Sequence, residues 1–224
     1  VEAVLAFGDE LAKTGFVSDL LIAGSLASGD YVAGVSDLDL VAVTDGAVDE
    51  TVLASLHRPW DHLNLGCVYV SPGADVGARH PTWTHGMLVR RILSGITRAE
   101  LVTFGRTVFG RAPGELFPAM TADDIRAAGR AELTGYWAWA ARRPWMFADP
   151  VIADLSLTSM ARGRHVLRTG TLLTKSDAVD RAAAPPWLIS QLRARRHGGT
   201  EPSPRLRTAW ISWRDARRTT RMAR

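Results

Sequence analysis

The chain has 224 residues, 46% hydrophobic and 22% charged, with 27 basic residues against 23 acidic ones and a formal net charge of +4. That length holds one large domain or two small ones, and the apolar content excludes a disordered or low-complexity chain. No run approaches the roughly 20 uninterrupted apolar residues of a bilayer span. The single cysteine, Cys67, excludes an internal disulfide and a Cys-based zinc site. No basic segment followed by an apolar core and a small-residue cleavage site opens the chain, so a cytoplasmic, enzyme-sized protein is the expectation.

Residues Val1 to Thr14 place Val1, Val4, Leu5 and Leu11 near helical spacing. Val17 to Ala23 is a short apolar run ending in glycine and reads as a buried strand. A loop follows, and then Asp37 to Val43, a second strand with two acids on one face. Asp49 to His57 predicts a short helix. Leu63 to Val70 predicts a third strand, stopped by Ser71-Pro72-Gly73. This alternation is a mixed α/β pattern.

The second half changes character. Thr97 with Glu100 three residues on is a capping-box signal. Thr107 to Gly110 predicts a short edge strand. Thr121 and Asp124 cap a helix running to about Arg142, and Asp149-Pro150 opens another that stops at Gly170. Thr174 to Asp180 starts a further helix, Pro185-Pro186 interrupts, and a last helical stretch reaches about Arg196. The expected architecture is α+β: an N-terminal domain over residues 1–110, a mixed sheet with flanking helices, then a C-terminal helical bundle over 111–224.

The most specific feature is Gly24-Ser25, eleven residues, then Asp37-Leu38-Asp39-Leu40. A strand delivers a Gly-Ser turn, where glycine lets the backbone approach a ligand and exposed N–H groups favour an anion such as phosphate. The next strand carries aspartates at i and i+2, on one face. Two carboxylates that close repel unless a cation lies between them, and hard oxygens on a rigid strand suit Mg²⁺ with substrate phosphates. Phosphate cradle plus metal-binding acids is the apparatus of phosphoryl or nucleotidyl transfer.

The segment GSLASGDYVAGVSDLDLVAVT resembles the nucleotidyltransferase signature of the DNA polymerase beta superfamily. LVTFGRTVFGRAPGELFP and LSLTSMARGRHVLRTGTLLTKSDAVD resemble the helical half of the aminoglycoside 3''- and 9-adenylyltransferases. The resemblance implies a minimal nucleotidyltransferase domain and AMP transfer from ATP to a hydroxyl of a small polar, cationic acceptor. It implies that Gly24 and Ser25 hold the triphosphate, that Asp37 and Asp39 hold Mg²⁺, that Lys175 touches the nucleotide phosphates, and that Asp177 and Asp180 face the acceptor. Read on the residues alone, Lys175 is equally a first-turn surface lysine and Asp177 a helix-start acid paired with Thr174.

One departure matters. The family carries a third carboxylate on the next core strand, as metal ligand or general base, and Leu63 to Val70 holds no acid. Asp61 and Glu100 are the candidate replacements. Asp61, which could equally be a turn residue, is assigned to catalysis, and Glu100 is already accounted for as a capping-box acid. His62 and His85 are further candidates for a base at neutral pH, but read more readily as packed or surface groups. The missing acid leaves open another acceptor (a sugar, protein or RNA) or a catalytically silent nucleotide-binding relative.

Gln191 to Arg224 holds ten arginines against Glu201 and Asp215, a net +8, leaving −4 for the preceding 190 residues. With lysine present only at Lys13 and Lys175, composition bias explains the arginines better than a nucleic-acid patch, and the tail reads as a solvated basic helix or frayed end. Trp210 and Trp213 read as packing residues as readily as stacking platforms. Trp137 and Trp139 cannot share a helix face, so one of them is expected at the surface.

Overall fold

A computed structural model describes residues 2–46, 48–71, 73 and 77–224. Val1, expected in the first helix, and Pro72, expected to stop the third strand, lie outside the described residues. The chain divides into two compact units, Val1–Ala119 and Met120–Arg224.

The first unit runs α1 (Glu2–Ala12), β1 (Val17–Ile22), α2 (Gly24–Ala27), β2 (Leu38–Thr44), α3 (Glu50–His57), a 3₁₀ turn over Arg58–Leu63, β3 (Leu65–Val70), β4 (Arg79–Thr84), β5 (Met87–Ile92), α4 (Gly95–Phe104), β6 (Arg106–Phe109) and α5 (Pro113–Leu116). Six strands form one sheet in the order β5-β4-β3-β2-β1-β6. β2 and β3 are parallel, and every other neighbouring pair is antiparallel. The period of two divides each strand between two cores. Leu20 and Ile22, Leu38 and Leu40, and Leu65, Cys67 and Tyr69 pack with Phe7 and Leu11 of α1 and Leu53 of α3. Leu21, Val41 and Val70 pack on the other face with Leu101 of α4 and with Phe117.

Two elements absent from the sequence reading are β4 and β5. Their hairpin turns at His85 and Gly86, with φ of 49° and 72°, so both residues are left-handed, as a two-residue type I′ turn requires. Pro81 inside β4 and the arginine pair in β5 mask the strand signal.

The cap of α4 also differs from expectation. Ser94, not Thr97, is the N-cap: its hydroxyl accepts from the Thr97 backbone N–H at 3.1 Å. Thr97 is therefore inside the first turn, and Glu100 stands in the middle of the helix rather than at its start.

The edge strand β6 is fixed by a buried carboxylate. Asp19 on β1 is 1% exposed. It accepts from the Arg111 backbone N–H at 2.6 Å and from the guanidinium at 2.7 and 3.0 Å. The Arg111 guanidinium holds its pKa down, to about 2. Gly110 makes the approach possible, because at φ +83° a Cβ there would run into Asp19 and the Ser18 carbonyl.

Beneath the opposite face, His57 is fully buried and stacks on Trp83, with ring centroids 5.2 Å apart, while its Nε2 lies 2.7 Å from the Tyr69 hydroxyl. Burial pushes its pKa down to about 4.

The second unit is helical: α6 (Ala122–Glu132), a widened turn over Leu133–Trp137, α7 (Ala138–Ala140), a 3₁₀ turn over Pro144–Ala148, α8 (Pro150–Thr169), α9 (Lys175–Asp180), α10 (Pro186–Arg196) and α11 (Arg205–Met222). The helix expected to reach Arg142 is broken at Gly135, whose φ/ψ of −84°/−105° is not helical. Pro186 opens α10 instead of interrupting a helix, since proline is at home in a first turn. Gly170 ends α8 at φ 70°, as expected. Trp137 is 3% exposed and Trp139 45%.

The tail is no frayed end. α11 buries Thr208, Ser212, Asp215, Ala216 and Thr219. Asp215 pairs with Arg164 of α8 at 2.6 Å, and Arg164 also reaches the Thr219 hydroxyl at 2.7 Å. Arg195 clamps Asp154 at 2.6 and 2.9 Å.

Asp19 is held below its unfolded pKa, so its pairing contributes fully above about pH 4 and is lost as pH falls through about 2. Arg111→Met is expected to lower the urea midpoint at pH 7, because it leaves the Asp19 carboxylate buried without its guanidinium, and the deficit should narrow between pH 4 and pH 2. His57 is also held below its unfolded value, so stability present above about pH 6.5 is lost as pH falls towards about 4. The wild type should lose up to about 3 kcal/mol across that window, and urea titrations of His57→Gln should show a flatter slope there.

Candidate functional site

The first unit carries an open cleft of ≈ 330 Å³ at one end of the sheet, lined by residues including Gly24, Asp39, Gly66, Val68, Thr82, Thr84, Arg91, Thr97 and Glu100. Strand register explains the grouping. β1 runs antiparallel to β2 with Ile22 opposite Leu40, and the Ala23 N–H donates to the Asp39 carbonyl at 2.8 Å. The end of β1 therefore delivers Gly24 beside the start of β2. β3 is parallel and sets Gly66 beside Asp39. β4 pairs Cys67 with Trp83, which carries Thr84 to the flank of Gly66. Four strands thus contribute neighbouring positions on one face.

Gly24 has φ +59°, and a Cβ there would collide with the Asp39 carboxylate. Only glycine lets the turn lie against that side chain. The next residue, Ser25, is buried, and its hydroxyl has no hydrogen-bond partner among the described residues. A buried, unsatisfied hydroxyl costs free energy and suits a group that receives its partner from a ligand.

Asp37 and Asp39 alternate with buried Leu38 and Leu40 and are themselves half-buried. β2 begins at Leu38, so Asp37 stands one residue before the strand. Among the described residues no group of three or more His, Cys, Asp or Glu side chains forms a metal set. Two carboxylates at alternate positions nevertheless fit Mg²⁺, which takes one or two carboxylates and completes its shell with water and phosphate oxygens. They do not fit zinc, which takes three or four protein ligands.

Asp61 is placed elsewhere. Its Oδ1 accepts from the Trp83 indole N–H at 2.8 Å, and Trp83 stacks on His57 beneath the opposite face of the sheet. It is not among the residues lining the cleft. His62 is exposed against the Pro59 carbonyl, and His85 forms the hairpin turn. Cys67 is fully buried, and burial pushes its thiol up to about 12, so it offers no thiolate at neutral pH.

Lys175, Asp177 and Asp180 belong to α9 of the second unit. Asp177 closes the first turn, its backbone N–H donating to the Thr174 hydroxyl at 3.1 Å and its carboxylate accepting from that hydroxyl at 2.8 Å. Asp180 pairs with Arg193 at 2.6 Å, both exposed. The sequence reading missed Gly66, Thr84 and Arg91 as cleft residues. Their only signal is strand register, since two of them belong to the unrecognised hairpin.

No protein-family model matches the chain, and no curated protein matches it in sequence. Among solved structures, the chain is similar to the spectinomycin adenyltransferase of Enterococcus faecialis, determined with ATP and spectinomycin, at a TM-score of 0.71 and 13% identity over 99% of both chains. The chain therefore has the fold of that enzyme: a mixed α+β unit followed by a helical one.

Gly24 and Gly34 separate backbone strain from crowding. Both have positive φ, but a Cβ on Gly34 meets nothing within 4 Å. Gly34→Ala should cost about 1 kcal/mol of left-handed strain. Gly24→Ala should cost at least about 1 kcal/mol more, because the Asp39 carboxylate must also move. Equal urea midpoints for the two variants would refute the close packing of Gly24 on Asp39.

Proposed function

We propose that the protein is a magnesium-dependent nucleotidyltransferase that moves AMP from ATP to a hydroxyl of a small polar acceptor, with an aminoglycoside-class antibiotic as the leading candidate. One observation carries the reading. A glycine turn lies directly against a strand carboxylate, beside a buried serine hydroxyl that lacks a partner among the described residues. The shared fold with an adenyltransferase solved with ATP and spectinomycin supports it.

In this reading Gly24 keeps the backbone low, so that a phosphate chain can approach the strand end. The Ser25 hydroxyl donates to a phosphate oxygen and gains the partner it lacks. Asp37 and Asp39 would hold Mg²⁺, and a bound ion there supplies charge neutralisation to the triphosphate. Leu38 and Leu40 pack into the core beneath and keep Asp39 on a rigid strand, with Asp37 one residue before it, which favours pre-set geometry over loop adjustment. The acceptor oxygen attacks the α-phosphorus and pyrophosphate leaves. Lys175 is assigned to the nucleotide phosphates by resemblance. Asp177 and Asp180 are assigned in the same way to a cationic acceptor, although one closes the first turn of α9 against Thr174 and the other is paired with Arg193.

A second reading is favoured by Gly66, which puts no carboxylate beside Asp39. It is a silent relative that binds nucleotide without transfer. Pyrophosphate release from Mg-ATP, measured against spectinomycin, streptomycin and other aminoglycosides, separates the two. Turnover with one acceptor is expected, and Mg-ATP binding without turnover on any acceptor favours the silent relative. Asp39→Asn should reduce turnover by at least about 10³-fold while the melting temperature stays within a few degrees, because the apolar face of β2 is untouched. Full activity in Asp39→Asn would refute the metal assignment.

A further inference from the structure

Transfer to a hydroxyl requires that its proton go somewhere as the new O–P bond forms. The register position beside Asp39 on the parallel strand is Gly66, and β3 carries no acid. Asp61 is engaged by Trp83 beneath the other face. Among the described residues lining the cleft, the carboxylates are Asp39 and Glu100. Glu100 comes from α4, whose helix begins at Gly95 behind a Ser94 cap. That start leaves Glu100 clear of the capping box and one turn beyond Thr97, a spacing that puts both on one side of the helix. Both line the cleft, while Ala99 and Leu101 beside Glu100 are buried.

We infer that Glu100 is the proton acceptor for the attacking hydroxyl, a carboxylate supplied by a helix where the adjacent strand offers only glycine. This rests on the nucleotidyltransferase reading above. The acceptor oxygen forms a bond to the α-phosphorus, and its proton passes to the Glu100 carboxylate. The bond from the α-phosphorus to the bridging oxygen breaks, and pyrophosphate leaves with that electron pair. Gly66, beside Asp39, leaves the cleft wall there without a side chain.

The test measures pyrophosphate release by the full chain with Mg-ATP, using spectinomycin, streptomycin and water (slow hydrolysis to AMP) as acceptors. Wild type and Glu100→Gln are compared across pH, with Mg-ATP affinity measured alongside. The expected result is a fall in kcat of at least about 100-fold in Glu100→Gln, loss of the acid limb of the kcat–pH profile, and Mg-ATP affinity within about threefold of wild type. Unchanged kcat with an unchanged acid limb would overturn the assignment of Glu100 alone. A tenfold or greater loss of Mg-ATP affinity would overturn it in favour of a metal ligand. Should Glu100→Gln not fold, Glu100→Asp carries the test: kcat reduced at wild-type Mg-ATP affinity supports the proposal, and wild-type kcat overturns it. A wild type that releases no pyrophosphate with any acceptor, water included, would overturn both the underlying reading and this one.

Discussion

The candidate site depends on the absence of one carbon atom. Gly24 must turn the chain at positive φ directly against the Asp39 carboxylate, and a Cβ would fill the space between them. The antiparallel register of β1 and β2 forces the encounter, because the Ala23 N–H is already committed to the Asp39 carbonyl. Ser25 is then carried inside, where its hydroxyl finds no partner among the described residues. Asp39 in turn projects from a strand whose alternate residues, Leu38 and Leu40, are locked in the core with Phe7 and Leu11. Rigidity from below and close approach from above are both properties of the same two strands.

What the sequence made legible is what this local logic encodes. The Gly-Ser turn, the alternation through Asp37 and Asp39 and the apolar runs of β1 to β3 are contiguous patterns with periods of two. The β4–β5 hairpin was not legible. His85-Gly86 replaces the usual Asn-Gly signal, Pro81 interrupts one strand, and β5 is largely exposed. Its absence from the reading hid Thr84 and Arg91, and with them the outer wall of the cleft. The start of α4 was misread for a different reason. Ser94, Thr97 and Glu100 are spaced three apart, so two capping signals overlap, and local chemistry does not choose between them. Tertiary packing does: Leu93 is buried just before the helix and Leu101 within it. That choice moves Glu100 from a cap into the cleft.

α11 shows a further limit of pattern reading. Its buried residues Thr208, Ser212, Asp215, Ala216 and Thr219 follow helical spacing perfectly well, but they are small or polar. A search for hydrophobic period passes over them. The helix is held instead by the Arg164–Asp215 pair and by the Ser212 hydroxyl, which donates to the Ala153 carbonyl at 2.8 Å.

The same pairs revise what the charge total means. Arg193 and Arg195, two of the ten arginines in the basic tail, are matched to Asp180 and Asp154. Asp180 is one of the acids that resemblance assigns to a cationic acceptor, and it already holds a guanidinium. That pair is exposed on both sides, so it contributes about 1 kcal/mol or less. At that strength the pair fixes neither side chain firmly, in contrast to the Arg164–Asp215 pair, whose carboxylate is buried.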